Sequence, residues 1–191
     1  MSLDTGKHKG TLIIVAGPSA VGKGTIVKEL KKRYPDLFVS VSVTTRPPRP
    51  DEVDGRDYHF ISEDEFQVMV AHNDLLESAL VHQTHHYGTP KTPVQQCIDA
   101  GNPALLEIDV NGAFQVKDKM PDAYMIFIAP PSWQELERRL LGRGSENYDQ
   151  RRRRLRTAHK EMALRERFDA IVINDDLDTA TDEVAHLMSL A

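Results

Sequence analysis

A single cysteine, Cys97, stands in the whole chain, so no intrachain disulfide can form and a reducing, cytoplasmic setting is expected. No apolar run approaches the roughly 20 residues that a membrane span requires. Residues 1–9 are polar and lack the apolar centre of a signal peptide, so neither a membrane span nor a secretory leader is expected. Positive charge is in deficit too: 24 Lys and Arg face 29 Asp and Glu, a formal net charge of −5. That balance argues against non-specific binding to nucleic acid or to a membrane surface. Linkers rich in Pro, Gly or Ser, internal repeats and low-complexity tracts are also missing. With 191 residues, one compact domain over 11–190 is expected, after a disordered leader at 1–10. Nothing in the sequence fixes the oligomeric state.

What the chain does have begins with an apolar run, residues 11–16, rich in β-branched side chains and read as a buried strand. It leads into Gly17-Pro18-Ser19-Ala20-Val21-Gly22-Lys23-Gly24-Thr25, after which apolar residues recur at helical intervals to residue 32. Glycines at 17 and 22 allow a strand-to-helix turn whose N–H groups converge. The helix N-terminus and Lys23 add positive charge, and such a turn holds a polyphosphate. The stretch follows the pattern G-x-x-x-x-G-K-[ST] except at its end, where Gly24 stands and Thr25 follows. Thr25 is the candidate oxygen donor to a metal ion bound with the phosphates.

Residues 38–43 alternate apolar and polar as one half-buried strand does. The loop that follows, residues 44–55, contains three prolines together with Arg46 and Arg49. Stiffened guanidinium groups lose little freedom on binding, which suits a second phosphate site. A short strand is expected at 58–61 and a helix from Ser62, which forms a capping box with Glu65, to about residue 72. Residues 75–81 read as a strand interrupted by Glu77, whose carboxylate either turns to solvent, the favoured reading, or faces a donor-rich ligand. Tyr87-Gly88-Thr89-Pro90 reads as a turn, and 92–100 as a helix closed by Gly101.

The strand expected at 104–110 carries Glu107 and Asp109 at alternate positions, hence on one side. In open parallel sheets ligands sit beyond the carboxyl ends of the strands, where Asp109 falls; the alternative is that it caps the following helix at 113–119. A further strand is expected at 123–129. Ser132 and Glu135 suggest another capping box, and the last strand and helix are expected at 168–174 and 178–190. Arginines crowd residues 138–156 without aromatic or glycine interleaving, so a solvated helix face or a lid over polyphosphate fits better than an RNA stripe. His82, His85 and His86 raise a weak zinc reading, and Cys97 reads as a packed, inert residue. Alternating strands and helices predict an α/β three-layer sandwich with a mostly parallel central sheet.

Eight motifs in order, Gly17-Pro18-Ser19, Ser42 with Thr44-Thr45-Arg46 and Pro48-Arg49, Glu52-Val53-Asp54-Gly55 with Asp57-Tyr58, Tyr87-Gly88-Thr89-Pro90, Glu107-Ile108-Asp109, Pro130-Pro131-Ser132, Gly142-Arg143-Gly144 and Asn174-Asp175-Asp176, resemble those of guanylate kinases. The resemblance implies a P-loop nucleoside monophosphate kinase fold: a core at 11–37 and 90–190, a GMP-binding subdomain at about 38–89 and an arginine-bearing lid at about 138–156. It implies transfer of the γ-phosphoryl group of ATP, with Mg2+, to GMP, and dGMP as a further acceptor. It further implies that Gly17 to Thr25, with Asn174, hold ATP. Arg46, Arg49, Tyr58 and Tyr87 would hold the GMP phosphate, and Ser42, Glu77, Thr89 and Asp109 would read guanine, with Glu107 beside them. Arg139, Arg143 and Arg154 fall where the family carries transfer and lid arginines, and act with Lys23 and Arg46.

Guanine offers donors at N1 and N2, which acceptor-only carboxylates can read. No Ser/His/Asp or Cys/His constellation is evident, and none is needed, because a phosphate acceptor is already mostly dianionic near neutral pH. Two other readings are a non-catalytic interaction module of the same family, which the nearly intact phosphate loop disfavours, and a kinase of another monophosphate, which the paired carboxylates disfavour. Ala20 replaces a frequent glycine, so positive φ there would strain the loop. Ser78, the 83–86 stretch and Arg151 are further departures from the family pattern.

Overall fold

The computed structural model describes residues 10–81, 84–141 and 148–189. The expected leader up to residue 9, His82, and Arg143 with the middle of the expected lid lie outside the described residues. Among the described residues nine strands and seven α-helices follow one another: β1 (Leu12–Ala16), α1 (Lys23–Arg33), β2 (Phe38–Val39), β3 (Val43–Thr44), β4 (His59–Phe60), α2 (Glu63–Ala71), β5 (Leu75–Val81), β6 (His85–Pro90), α3 (Lys91–Asp99), β7 (Ala104–Glu107), α4 (Val110–Lys119), β8 (Tyr124–Ala129), α5 (Trp133–Leu141), α6 (Tyr148–Ala163), β9 (Ala170–Ile173) and α7 (Leu177–Leu187).

Five strands form a wholly parallel sheet in the order β2-β7-β1-β8-β9. Every residue of β1 is buried because helices cover both faces, which is why this strand reads as an unbroken apolar run. Ile13 and Val15 point into a core shared with Ile26 and Leu30 of α1 and Val184 of α7. Leu12, Ile14 and Ala16 point the other way, toward Val94 of α3 and Ala113 and Val116 of α4. The expected three-layer α/β architecture is therefore present.

A second sheet, β4-β3-β6-β5, stands apart with its own small core of Val43, Phe66 and Leu75. Its helix α2 starts at the expected capping box: Ser62 Oγ accepts from the Glu65 N–H while the Glu65 carboxylate accepts from the Ser62 N–H. The box at Ser132 is only half formed, since Ser132 Oγ accepts from the Glu135 N–H but the Glu135 carboxylate turns to Arg138 and Arg139.

Three expectations are corrected. The alternating stretch 38–43 is not one strand but two short ones in different sheets, β2 beside β7 and β3 beside β6. Residues 87–90 are not a turn but the second half of β6, which pairs antiparallel with β5 and β3. Gly88 is needed there because a Cβ would come within 2.8 Å of Leu75 Cδ1 and 3.1 Å of the Glu77 carbonyl. Finally, β7 ends at Glu107, and Asp109 is the N-cap of α4.

Candidate active site

The carboxyl ends of the parallel strands converge on the loop between β1 and α1. Gly17 has φ +146°, and a Cβ there would strike the Ile128 carbonyl of neighbouring β8. Gly22, at φ +99°, caps α1, which has no side-chain cap and no acidic residue in its first turn. The loop thus leaves the positive end of a helix without a side-chain cap, as an anion site requires. Lys23 Nζ folds across it, donating to the Gly17 carbonyl at 2.6 Å and the Pro18 carbonyl at 3.1 Å. Asn174, buried just after β9, supports the loop from beneath by donating from Nδ2 to the Val21 carbonyl at 2.8 Å. Ala20 does sit in the left-handed region, at φ +66°.

Glu107, at the end of β7, opens to solvent at the mouth of this cleft, yet the protein around it raises its carboxyl above the ordinary range, opposed by Lys23 and Lys28. Its Oε1 lies 3.3 Å from where a Cβ of Gly24 would stand. The carboxylate therefore occupies the space into which a serine or threonine after Lys23 would project.

A second cationic centre lies on the other sheet. Arg46 Nη2 donates to both carboxylate oxygens of Glu52 at 2.9 Å, Nε donates to Tyr87 Oη at 3.0 Å, and the guanidinium stands 5.6 Å from the centre of the Tyr58 ring. Tyr58 and Tyr87 meet edge to face at 5.7 Å. Glu52 also accepts from the Arg49 N–H at 2.8 Å, which with Arg46 keeps its carboxyl below the usual range. The structure thus brings Arg46, Tyr58 and Tyr87 together and adds Glu52 as the group that orients Arg46. The exposed Arg49 head remains at the rim, 3.9 Å from Glu52. In the sequence, the only signal of this pair is an acidic residue six positions after Arg46 in the same proline-stiffened loop.

Glu77 is the chief correction at the site: it does not turn to solvent but is 5% exposed. Thr89 Oγ1, wholly buried on β6, donates to Glu77 Oε1 at 2.7 Å. Burial pushes the Glu77 carboxyl up to about 7, with the Asp109 charge adding to the effect and Thr89 opposing it. Asp109 Oδ1 accepts from the Gly112 N–H at 2.7 Å, so this residue is a cap and, at the same time, a carboxylate facing Glu77. Ser42 precedes β3 immediately, partly buried.

Arg139 on α5 reaches back to the first cleft: Nε donates to Glu135 at 2.6 Å and Nη1 to the Asn174 carbonyl at 3.3 Å. Arg138 and Arg139 together hold the Glu135 carboxyl down at about 2. Arg154 is half-buried on α6. Glu161, also on α6 and also half-buried, escaped the sequence reading. Burial drives its carboxyl up to about 7; Lys23 counters this and Asp109 adds to it, so the group belongs to the same electrostatic neighbourhood. A single glutamate in a charged helix gives no sequence signal of this kind.

Outside the cleft, the His86 ring lies 3.0 Å from the Glu63 carboxylate and stacks on Phe66. Among the described residues no cluster of three His, Cys, Asp or Glu side chains could hold a metal. Cys97 lies near the Asn102 and Pro103 carbonyls, and burial raises its thiol. No helix among the described residues is long and apolar enough to cross a membrane.

The guanylate kinase family model matches residues 9–191. This chain belongs to the guanylate kinase family. It is 49% identical to the guanylate kinase of Cutibacterium acnes, over 96% of this chain and 94% of that protein. It is 51% identical to the guanylate kinase of Thermobifida fusca, over 93% of this chain and 90% of that one. The crystal structure of guanylate kinase from Anaplasma phagocytophilum superposes with a TM-score of 0.77 at 31% identity, covering 95% of this chain and 86% of the other. The two proteins share the same α/β fold.

Proposed function

We propose that this enzyme transfers the γ-phosphoryl group of ATP to GMP, and to dGMP, giving ADP and the nucleoside diphosphate. The observation that carries the acceptor is the buried Glu77, held by Thr89 and facing Asp109. Once ionised, the two carboxylates only accept hydrogen bonds and match the N1 and N2 donors of guanine, while adenine would leave them unpaired. Ser42 has a hydroxyl available to the base, whereas Thr89 commits its proton to Glu77, and the Arg46 cluster with Tyr58, Tyr87 and Arg49 holds the GMP phosphate. The second sheet, residues 43–90, is then the acceptor-binding subdomain.

The donor occupies the β1–α1 loop, with its phosphates on the loop amides, Lys23 and the N-terminus of α1. The GMP phosphate oxygen attacks the γ-phosphorus in line as the bond from that phosphorus to the β,γ-bridging oxygen breaks. Arg46 and Lys23 hold the two phosphate groups face to face, and Arg139, Arg154 and Arg143 supply charge to the oxygens between them. No proton need be removed, because the acceptor phosphate is largely dianionic above its second pKa of about 6.

Mg2+, when bound with ATP, neutralises phosphate charge. Thr25 and Glu107 offer the hard oxygen donors it prefers, and Glu107 fills the space left by Gly24. Cytoplasmic residence belongs to the same proposal. Coupled ADP-release assays with GMP, dGMP, AMP, UMP and CMP test it. GMP and dGMP should exceed the others by orders of magnitude, and turnover of AMP equal to that of GMP would overturn the roles given to Glu77 and Asp109.

A further inference from the structure

We infer that Gln115 on α4 is a positioning residue for base selectivity, fixing Glu77 to the core rather than leaving it to the sheet from which it comes; the inference rests on the proposed GMP site. By pairing, β5 belongs to the second sheet, but its ladder with β6 shifts register between Leu75 and Ser78, the interval that contains Glu77. Irregularities of this kind re-aim a side chain, and something else must then hold the strand.

Helix α4 does so. Gln115 Oε1 accepts from the Ser78 N–H at 3.2 Å while its Nε2 donates to the Ser78 carbonyl at 3.1 Å, so one side chain engages both backbone groups of the residue after Glu77. One turn further along the same face, Lys119 Nζ donates to the Leu75 carbonyl at 3.0 Å. Three residues before Gln115, Gly112 leaves space that Glu77 uses: a Cβ there would stand 3.0 Å from Glu77 Oε2 and 3.3 Å from Asp109 Oδ1.

Gly112, Gln115 and Lys119 thus form one stripe against which the Glu77 segment lies, and Asp109 caps the same helix. Both carboxylates of the base site are referred to α4. The groups assigned to the GMP phosphate, Arg46, Tyr58 and Tyr87, are carried by the second sheet and its loop. Loss of the Gln115 clamp should therefore blur recognition of the base without touching the donor site.

The test compares the wild type with Gln115→Leu, which keeps the bulk and removes both hydrogen bonds, using GMP and IMP as acceptors. IMP lacks the 2-amino group that the carboxylates read. For Gln115→Leu, KM for GMP should rise and the GMP-over-IMP preference should fall, each by roughly tenfold, the scale of one or two lost hydrogen bonds. KM for ATP and kcat with saturating GMP should stay close to wild type. An unchanged GMP-over-IMP preference, or a loss shared equally by the ATP and GMP constants, overturns the inference.

Amide exchange in the wild type adds a measurement independent of any variant: the Ser78 N–H should be protected, and exchange at the rate of an open loop amide also overturns it. Wild-type preference for GMP over AMP in the same assay checks the proposed function separately. Its absence defeats that reading, whereas its presence with an indifferent Gln115→Leu defeats only the clamp.

Discussion

Replacing Glu77 by Gln should stabilise the ligand-free protein at alkaline pH while crippling GMP recognition, and the size of the gain follows from burial. Glu77 is 5% exposed and its carboxyl is pushed up to about 7 from an ordinary value of 4.5. The folded chain binds this proton more tightly than the unfolded chain. The stability it contributes is therefore complete below about pH 4.5 and lost as the pH rises to about 7. A shift of about 2.5 units corresponds to roughly 3 kcal/mol. Glutamine does not titrate, and its amide oxygen can still accept from Thr89 while its NH2 group faces Asp109.

The gap in stability between Glu77→Gln and wild type should accordingly widen by about 2.5 kcal/mol from pH 5 to pH 8, the rest of the effect lying below pH 5, or roughly 8 °C in Tm for a chain of this size. Glu107 and Glu161, whose carboxyls are also raised, titrate in both proteins and largely cancel from the difference. Scanning calorimetry without nucleotide measures it. In parallel, affinity for GMP should fall by roughly a hundredfold, because an acceptor aimed at guanine donors has become partly a donor. A Tm difference that stays flat between pH 5 and pH 8 would refute the buried-carboxylate argument, whatever the kinetics show.

Ala20→Gly relieves a left-handed alanine at φ +66° and should stabilise by about 0.5 kcal/mol, the strain lost outweighing the added freedom of the unfolded chain; urea denaturation showing a loss instead would contradict it. Arg46→Lys cannot engage Glu52 and Tyr87 together, so calorimetric GMP affinity should drop by roughly two orders of magnitude with ATP affinity retained. Asn174→Leu strips the buried Val21 carbonyl of its donor and should cost about 1 to 3 kcal/mol and weaken ATP binding. Unchanged chemical stability would show that the loop does not depend on that support.

Which of these features could be read from the sequence depends on how far each interaction reaches. The phosphate loop was legible because everything that makes it lies within a short stretch: a buried strand, glycines at the two bends, a lysine and a helix. The capping box at Ser62 was legible for the same reason, and the arginines of the 44–55 loop were marked by their own prolines. Sheet membership was not legible. Residues 38–43 alternate correctly for a strand, but where the chain leaves β7 for β6 is decided by partners more than forty residues away. At Gly88 a local rule gave the wrong answer, because glycine beside Thr89 and Pro90 signals a turn when read alone. Its actual cause is the close approach of Leu75 and the Glu77 backbone.

Glu77 shows most clearly why a site needs both levels. A carboxylate in an apolar run turns to water unless something supplies a reason for burial, and the sequence of β5 contains none. The reason comes from three other elements: Thr89 on β6 donates to it, Gly112 on α4 makes room for it, and Gln115 holds the backbone beside it. Burial still raises its carboxyl to about 7, and the Asp109 charge opposite adds to the effect. A site that keeps two carboxylates together against burial and mutual repulsion is complementary to a ligand that brings hydrogen-bond donors to both, and a base without those donors leaves buried acceptors unpaired.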